Sequence, residues 1–189
     1  MLVLAHDLGV KNYGFAVVKV SLGQGKRLHL SILKNGMLKH TVSQLKRGKL
    51  HHEQMHEYLK ENKETFQEYK PEFYVAERFQ SRGHGGTTIE TINQMIGSLI
   101  SRIGIPYAQI TAAVWKNEIK RWGMDLEKMY AMARVVPHQI DAVMMAAFIG
   151  YQKLGAKRTK LNLKELIKQI EETSTEELKE KRKKKKAKK

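Results

Sequence analysis

The chain has no cysteine among its 189 residues. This excludes disulfides and any zinc or iron–sulfur centre held by thiolates, and it suits a reducing compartment. Nor is there an apolar run approaching the roughly 20 residues that a membrane-spanning helix needs. The N-terminus enters an apolar segment with no basic leader before it, so no secretory signal is expected and the chain reads as cytoplasmic. Internal repeats are absent. Negative charge is also scarce: 19 acidic residues stand against 35 basic ones, for a net charge of +16.

Half of that excess lies in one place. From Lys179 to Lys189 the sequence KEKRKKKKAKK holds nine of the basic residues and one of the acidic ones, leaving 26 against 18 in the rest. The body is therefore basic without its tail. Nucleic acid is the partner such a chain calls for, because neutralising phosphates releases condensed counterions. Solubility alone is the plainer account of the charge.

Hydrophobic residues make up 41% of the chain, enough for one domain with a core. Alternation and β-type residues predict an antiparallel meander at about 2–7, 13–20 and 27–37. A polar helix is expected over 44–70, with Met55, Tyr58, Leu59, Phe66 and Tyr69 as its apolar stripe and Pro71 as its stop. The segment EFYVAE (72–77) reads as a buried strand, followed by a glycine-rich loop (78–88). A helix over 89–103 carries Ile92, Met95, Ile96, Leu99, Ile100 and Ile103 on one side, a stripe suited to a core or a dimer face. A last strand (106–110) precedes helices at 112–121, 125–134, 138–153 and 161–172. This order implies a mixed sheet with helices on both faces. Three segments follow: a domain over 1–155, a helical extension over 156–172 and a disordered basic tail over 173–189.

Acidic residues close two of these strands. Asp7 ends the first and Glu77 the fourth. A carboxylate ending a core strand is either solvated there or holding a cation. His138 and Asp141 lie three residues apart on the otherwise apolar helix PHQIDAVMMAAFIGY, and so share a face. Carboxylates converging beside an apolar core repel one another unless a cation sits between them. Oxygen ligands with one imidazole suit Mg²⁺ or Mn²⁺. Two such ions, roughly 4 Å apart, activate water and stabilise the leaving oxygen of a phosphodiester.

Two other motifs compete for attention. His52-Glu53-Gln54-Met55-His56 is a literal H-E-x-x-H, the zincin pattern, but its flanks are those of a surface helix and no third ligand follows. The loop RGHGGTT lacks the Lys-Ser/Thr ending of a P-loop. It reads better as a loop contacting DNA beside Glu77, with Arg82 as its cation.

Together, HDLGVKNYGFAVV, FYVAERF and HQIDAVMMAA resemble the RuvC-type Holliday-junction resolvases of the ribonuclease-H-like superfamily, over about residues 1–155. The resemblance implies a ribonuclease-H-like mixed five-stranded sheet flanked by helices. It implies a catalytic, metal-binding quartet of Asp7, Glu77, His138 and Asp141 holding two Mg²⁺ ions, with Mn²⁺ as a substitute. It also implies a homodimer that resolves four-way DNA junctions by paired symmetric nicks, leaving 5′-phosphate and 3′-hydroxyl ends. Lys116 and Lys128 are the nearest matches to two basic residues of the family, and Phe79 to an aromatic residue that probes the junction centre. The lysine tail has no family counterpart and reads as a sequence-independent DNA anchor. The tail and the loose motif matches suggest a phage-encoded variant, acting in an infected bacterial cell.

Three other functions compete. One is a ribonuclease-H-like nuclease acting on RNA or on other branched DNA. Another is a junction-binding protein without catalysis, which would usually lack one of the four ligands. The third is a sugar-kinase or actin-like ATPase, which shares the D-x-G hairpin but normally needs two domains and a second phosphate motif.

Overall fold

In a computed structural model, describing residues 1–8, 12–39, 50–78 and 86–174, the apolar N-terminal runs form β1 (Leu2–Leu8) and β2 (Asn12–Leu22). They pair antiparallel, with Asp7 opposite Gly14. A 3₁₀ turn at Gln24–Lys26, with Gly25 at φ +69°, leads into β3 (Leu28–Lys39). Helix α1 (Leu50–Tyr69) then crosses to β4 (Phe73–Glu77), which lies parallel to β1. Helix α2 (Gly86–Ile103) leads to β5 (Tyr107–Ile110), parallel to β4. The sheet order is β3-β2-β1-β4-β5, a mixed five-stranded sheet as expected.

Four helices follow: α3 (Ala112–Arg121), α4 (Leu126–Met132), α5 (Pro137–Leu154) and α6 (Leu163–Glu172). Each falls within two residues of its expected range. Helix α2 starts three residues earlier than expected, because a first turn tolerates the glycine and threonines at 86–88.

Period-2 alternation divides the strands between two cores. Val3, Ala5, Val18, Phe73 and Val75 face α5 and its neighbours. Leu4, Phe15, Val17, Tyr74 and Ala76 face the other side, where Ile96, Phe66, Tyr69, Ile100 and Ile103 cover them. The described part of the α2 stripe is therefore core. Of the α1 stripe, Phe66 and Tyr69 pack there too, while the side chains of residues 50–58, with His52, Glu53 and His56, lie outside the described residues.

Helix α5 is apolar nearly all round and lies very close to β2. A Cβ on Gly14 would overlap the carbonyl of His138, and one on Gly150 would overlap Val20. Glycine in a strand interior is costly and marks such close approaches. Here it lets the first turn of α5 settle on the sheet end that carries Asp7.

On the opposite face, His6 is buried between two tyrosine hydroxyls, 2.9 Å from Tyr74 and 2.9 Å from Tyr13. Asn62 of α1 donates to the Tyr13 hydroxyl at 3.1 Å. Burial pushes the His6 imidazole down to about 3.

The extension after α5 is anchored along the body. Lys157 donates its backbone N–H to the Lys26 carbonyl at 2.9 Å, and Arg158 reaches Glu118 at 2.7 Å. Leu166 and Ile170 of α6 join the core beside α5.

Candidate active site

Strand alternation decides which acidic residues meet. Asp7 shares the α5-facing side of β1 with Val3 and Ala5, and Glu77 shares that of β4 with Phe73 and Val75. The two strands are parallel neighbours in register (His6 opposite Ala76), so both carboxylates arrive at the same end of the sheet. Pro137 starts α5 above that end, and Asp141 lies one turn in. All three carboxylates are buried: Asp7 is 4% exposed, Glu77 9% and Asp141 6%.

The chain's own donors offset part of this charge. The imidazole of His138 donates from Nδ1 to Asp7 Oδ2 at 2.5 Å. Lys116 of α3 donates to Asp141 Oδ2 at 2.8 Å. Tyr130 of α4 donates to Asp141 Oδ1 at 2.5 Å. Trp115, fully buried, donates its indole N–H to Glu77 Oε2 at 3.2 Å. The Lys116 ammonium also sits 5.0 Å from the centre of the Trp115 ring.

The titrating groups register the crowding. Burial, then the charge of Asp7, pushes the Glu77 carboxyl up to about 7. Burial also raises Asp141, against the opposing pull of Lys116 and Tyr130. The hydrogen bond to Asp7 raises His138. Burial works to lower Lys116, but its bond to Asp141 outweighs this and the net direction is up. Tyr130 is pushed up by burial and by Asp141. Each carboxylate is thus held by a neighbouring donor or driven toward its neutral form.

Among the described residues, no three His, Asp or Glu side chains already stand as a metal cluster. Asp7 is turned to His138, and Asp141 to Lys116 and Tyr130. The donor set nevertheless fits a hard divalent cation, with three carboxylates and one imidazole at one mouth. The raised Glu77 carboxyl marks buried negative charge that a cation would relieve.

The structure therefore brings Asp7, Glu77, His138, Asp141 and Lys116 together. It does not bring in Lys128, which is exposed on α4, where its backbone N–H donates to the capping carboxylate of Asp125 at 3.0 Å. Tyr130 is two residues further on, about 200° around the helix, so the two side chains point apart. Phe79 and Arg82 lie outside the described residues. Sequence reasoning missed Trp115, Tyr130 and Gly14. A glycine inside a strand pattern was the one available signal, and it pointed to Gly14.

Comparison with protein-family models finds no match, and comparison with curated proteins finds none either. Solved structures do match. Thermus thermophilus RuvC in complex with a Holliday junction substrate aligns with a TM-score of 0.63 at 18% identity, covering 83% of this chain and 99% of that one. A second structure of Thermus thermophilus RuvC aligns at 0.60 and 17% identity, covering 82% and 98%. This chain therefore has the fold of RuvC, a mixed five-stranded sheet flanked by helices.

Proposed function

We propose that the protein is a metal-dependent, structure-selective endonuclease that resolves four-way DNA junctions, a crossover junction endodeoxyribonuclease. One observation carries this reading: three buried carboxylates, an imidazole and a lysine converge at one end of a RuvC-like sheet in a strongly basic chain. Asp7, Glu77, His138 and Asp141 would hold two Mg²⁺ ions, or Mn²⁺, which supply water activation and charge stabilisation in phosphodiester hydrolysis.

The chain's own groups do the rest. Lys116, half-exposed beside Asp141, is placed to offset charge on a phosphate at the mouth. Trp115 keeps Glu77 oriented through its indole N–H, and Tyr130 does the same for Asp141. Lys128, Phe79 and Arg82 are proposed as further DNA contacts. Paired nicks need two sites, so the working form is a homodimer whose two-fold axis matches that of the junction.

The test is cleavage of a labelled synthetic four-way junction in Mg²⁺, run beside linear duplex, a three-way fork and Asp7→Asn. Paired symmetric nicks on the junction are expected, lost in Asp7→Asn while junction binding persists. Equal cutting of fork and junction would instead mark a broader branched-DNA nuclease. Near-wild-type cutting by Asp7→Asn would remove the assignment.

A further inference from the structure

A second buried polar cluster lies behind the candidate site. Asn35 and Gln139 are fully buried, and Ser174 is 4% exposed. Asn35 owes its direction to a β-bulge. Val18 pairs with Ile32 but Val17 with Lys34, so Leu33 is an extra residue on β3. Before the bulge, Leu28, Leu30 and Ile32 face α5. After it the alternation flips, and Asn35 faces α5 in their place.

The amides of this cluster are satisfied at both ends. Gln139 Nε2 donates to Asn35 Oδ1 at 2.6 Å and to Ser174 Oγ at 3.0 Å. Asn35 Nδ2 donates to the Ile170 carbonyl at 2.8 Å and to Thr173 Oγ1 at 2.7 Å. The Asn35 backbone N–H donates to the Thr173 carbonyl at 3.2 Å, and Asn35 and Ser174 form a parallel bridge. A buried network this complete orients its members, whereas a partly satisfied one is costly.

Gln139 also directly follows His138. Helix α5 begins without a side-chain cap, since Val136 at its N-cap has no oxygen to offer. Gln139 takes part of that role by accepting the Val136 N–H at 3.4 Å through Oε1. The turn carrying His138 is therefore held by Pro137, by its close seat on Gly14 and by the Gln139 side chain.

We propose that Gln139 is a positioning residue for the candidate centre and that Thr173–Ser174, the two residues directly after the 156–172 extension, anchor it. In this way the extension sets the placement of His138. The catalytic consequence rests on the nuclease reading; the placement of the imidazole does not.

The test uses the full chain and four variants: Ser174→Ala, Ser174→Thr, Gln139→Met and Arg158→Ala. The His138 imidazole resonances are followed by NMR, with kcat and KM on a four-way junction and melting curves alongside. Ser174→Ala and Gln139→Met are expected to shift the imidazole resonances and to lower kcat roughly fivefold, the worth of one hydrogen bond, with little change in KM. Ser174→Thr, which keeps the hydroxyl, restores both. Arg158→Ala, which loosens the other end of the extension, lowers the melting point and leaves the imidazole where it was. Unshifted resonances in folded Ser174→Ala and Gln139→Met overturn the proposal, whatever their melting points. If Gln139→Met does not fold, Ser174→Ala decides alone, since it deletes a single hydroxyl. A wild-type chain that cuts no DNA defeats the nuclease reading, and the NMR comparison still decides the positioning.

Discussion

Replacing Glu77 with glutamine should stabilise the metal-free protein at neutral and alkaline pH while removing a proposed ligand. Burial and Asp7 raise this carboxyl from 4.5 to about 7. A carboxyl raised on folding contributes stability below its unfolded value, and that contribution is lost as pH rises through the folded one. The full displacement corresponds to about 3 kcal/mol. Glutamine keeps an oxygen to accept the Trp115 N–H and carries no charge beside Asp7. Urea melts in a chelator at pH 8 should therefore find Glu77→Gln more stable than wild type by about 1–3 kcal/mol. At pH 4, below both values, the two proteins should converge. Added Mg²⁺ should favour wild type and close or reverse the gap, because only wild type keeps the full ligand set. Equal stabilities at pH 8 in chelator, or a less stable Glu77→Gln, would refute the idea that the cluster carries uncompensated charge.

Other perturbations probe neighbouring features of the fold and the site. Gly14→Ala should cost about 3 kcal/mol in denaturant melts, because its Cβ would meet the backbone carbonyl of His138, which cannot swing away; a cost under about 0.5 kcal/mol would mean that α5 does not seat on β2 as described. His6, buried and held near 3, resists protonation only while the chain is folded, so its contribution is present above 6.5 and lost as pH falls. From pH 7.5 to 5 that loss is about 2 kcal/mol, and His6→Gln should shed less stability than wild type over the same interval; equal losses would contradict it. Deleting residues 179–189 should weaken binding to every DNA form and flatten the slope of log Kobs against log salt by about 0.9 for each phosphate the tail neutralises, whereas an unchanged slope would rule out the tail as an anchor.

Much of the architecture was legible because periodicity reports burial. Runs of apolar and β-type residues located the strands, and 3.6-residue stripes marked α1 and α2. Pro71 marked a helix end in the expected way, while Pro137 takes the first position of a helix expected to begin one residue later. The bulge at Leu33 was not legible, since an extra residue is defined only against the partner strand that it fails to match. For that reason β3 read as one uniform strand, and Asn35 drew no attention.

The same division runs through the candidate site. Composition and spacing by themselves determined a basic α/β chain with carboxylates at the ends of two strands, and a His-Asp pair on one helix face. They did so because charge, alternation and helical spacing are properties of a single segment. Which groups offset the charge of those carboxylates was decided only when the segments packed. Trp115, Lys116 and Tyr130 lie on α3 and α4, and nothing local in their sequences aims them at Glu77 and Asp141. The anchoring of Gln139 by Ser174 joins residues 35 positions apart, and that of Asn35 by Ile170 joins residues 135 apart. A hydrogen bond across such a separation depends on where the sheet and helices place both partners, and only the tertiary structure determines that.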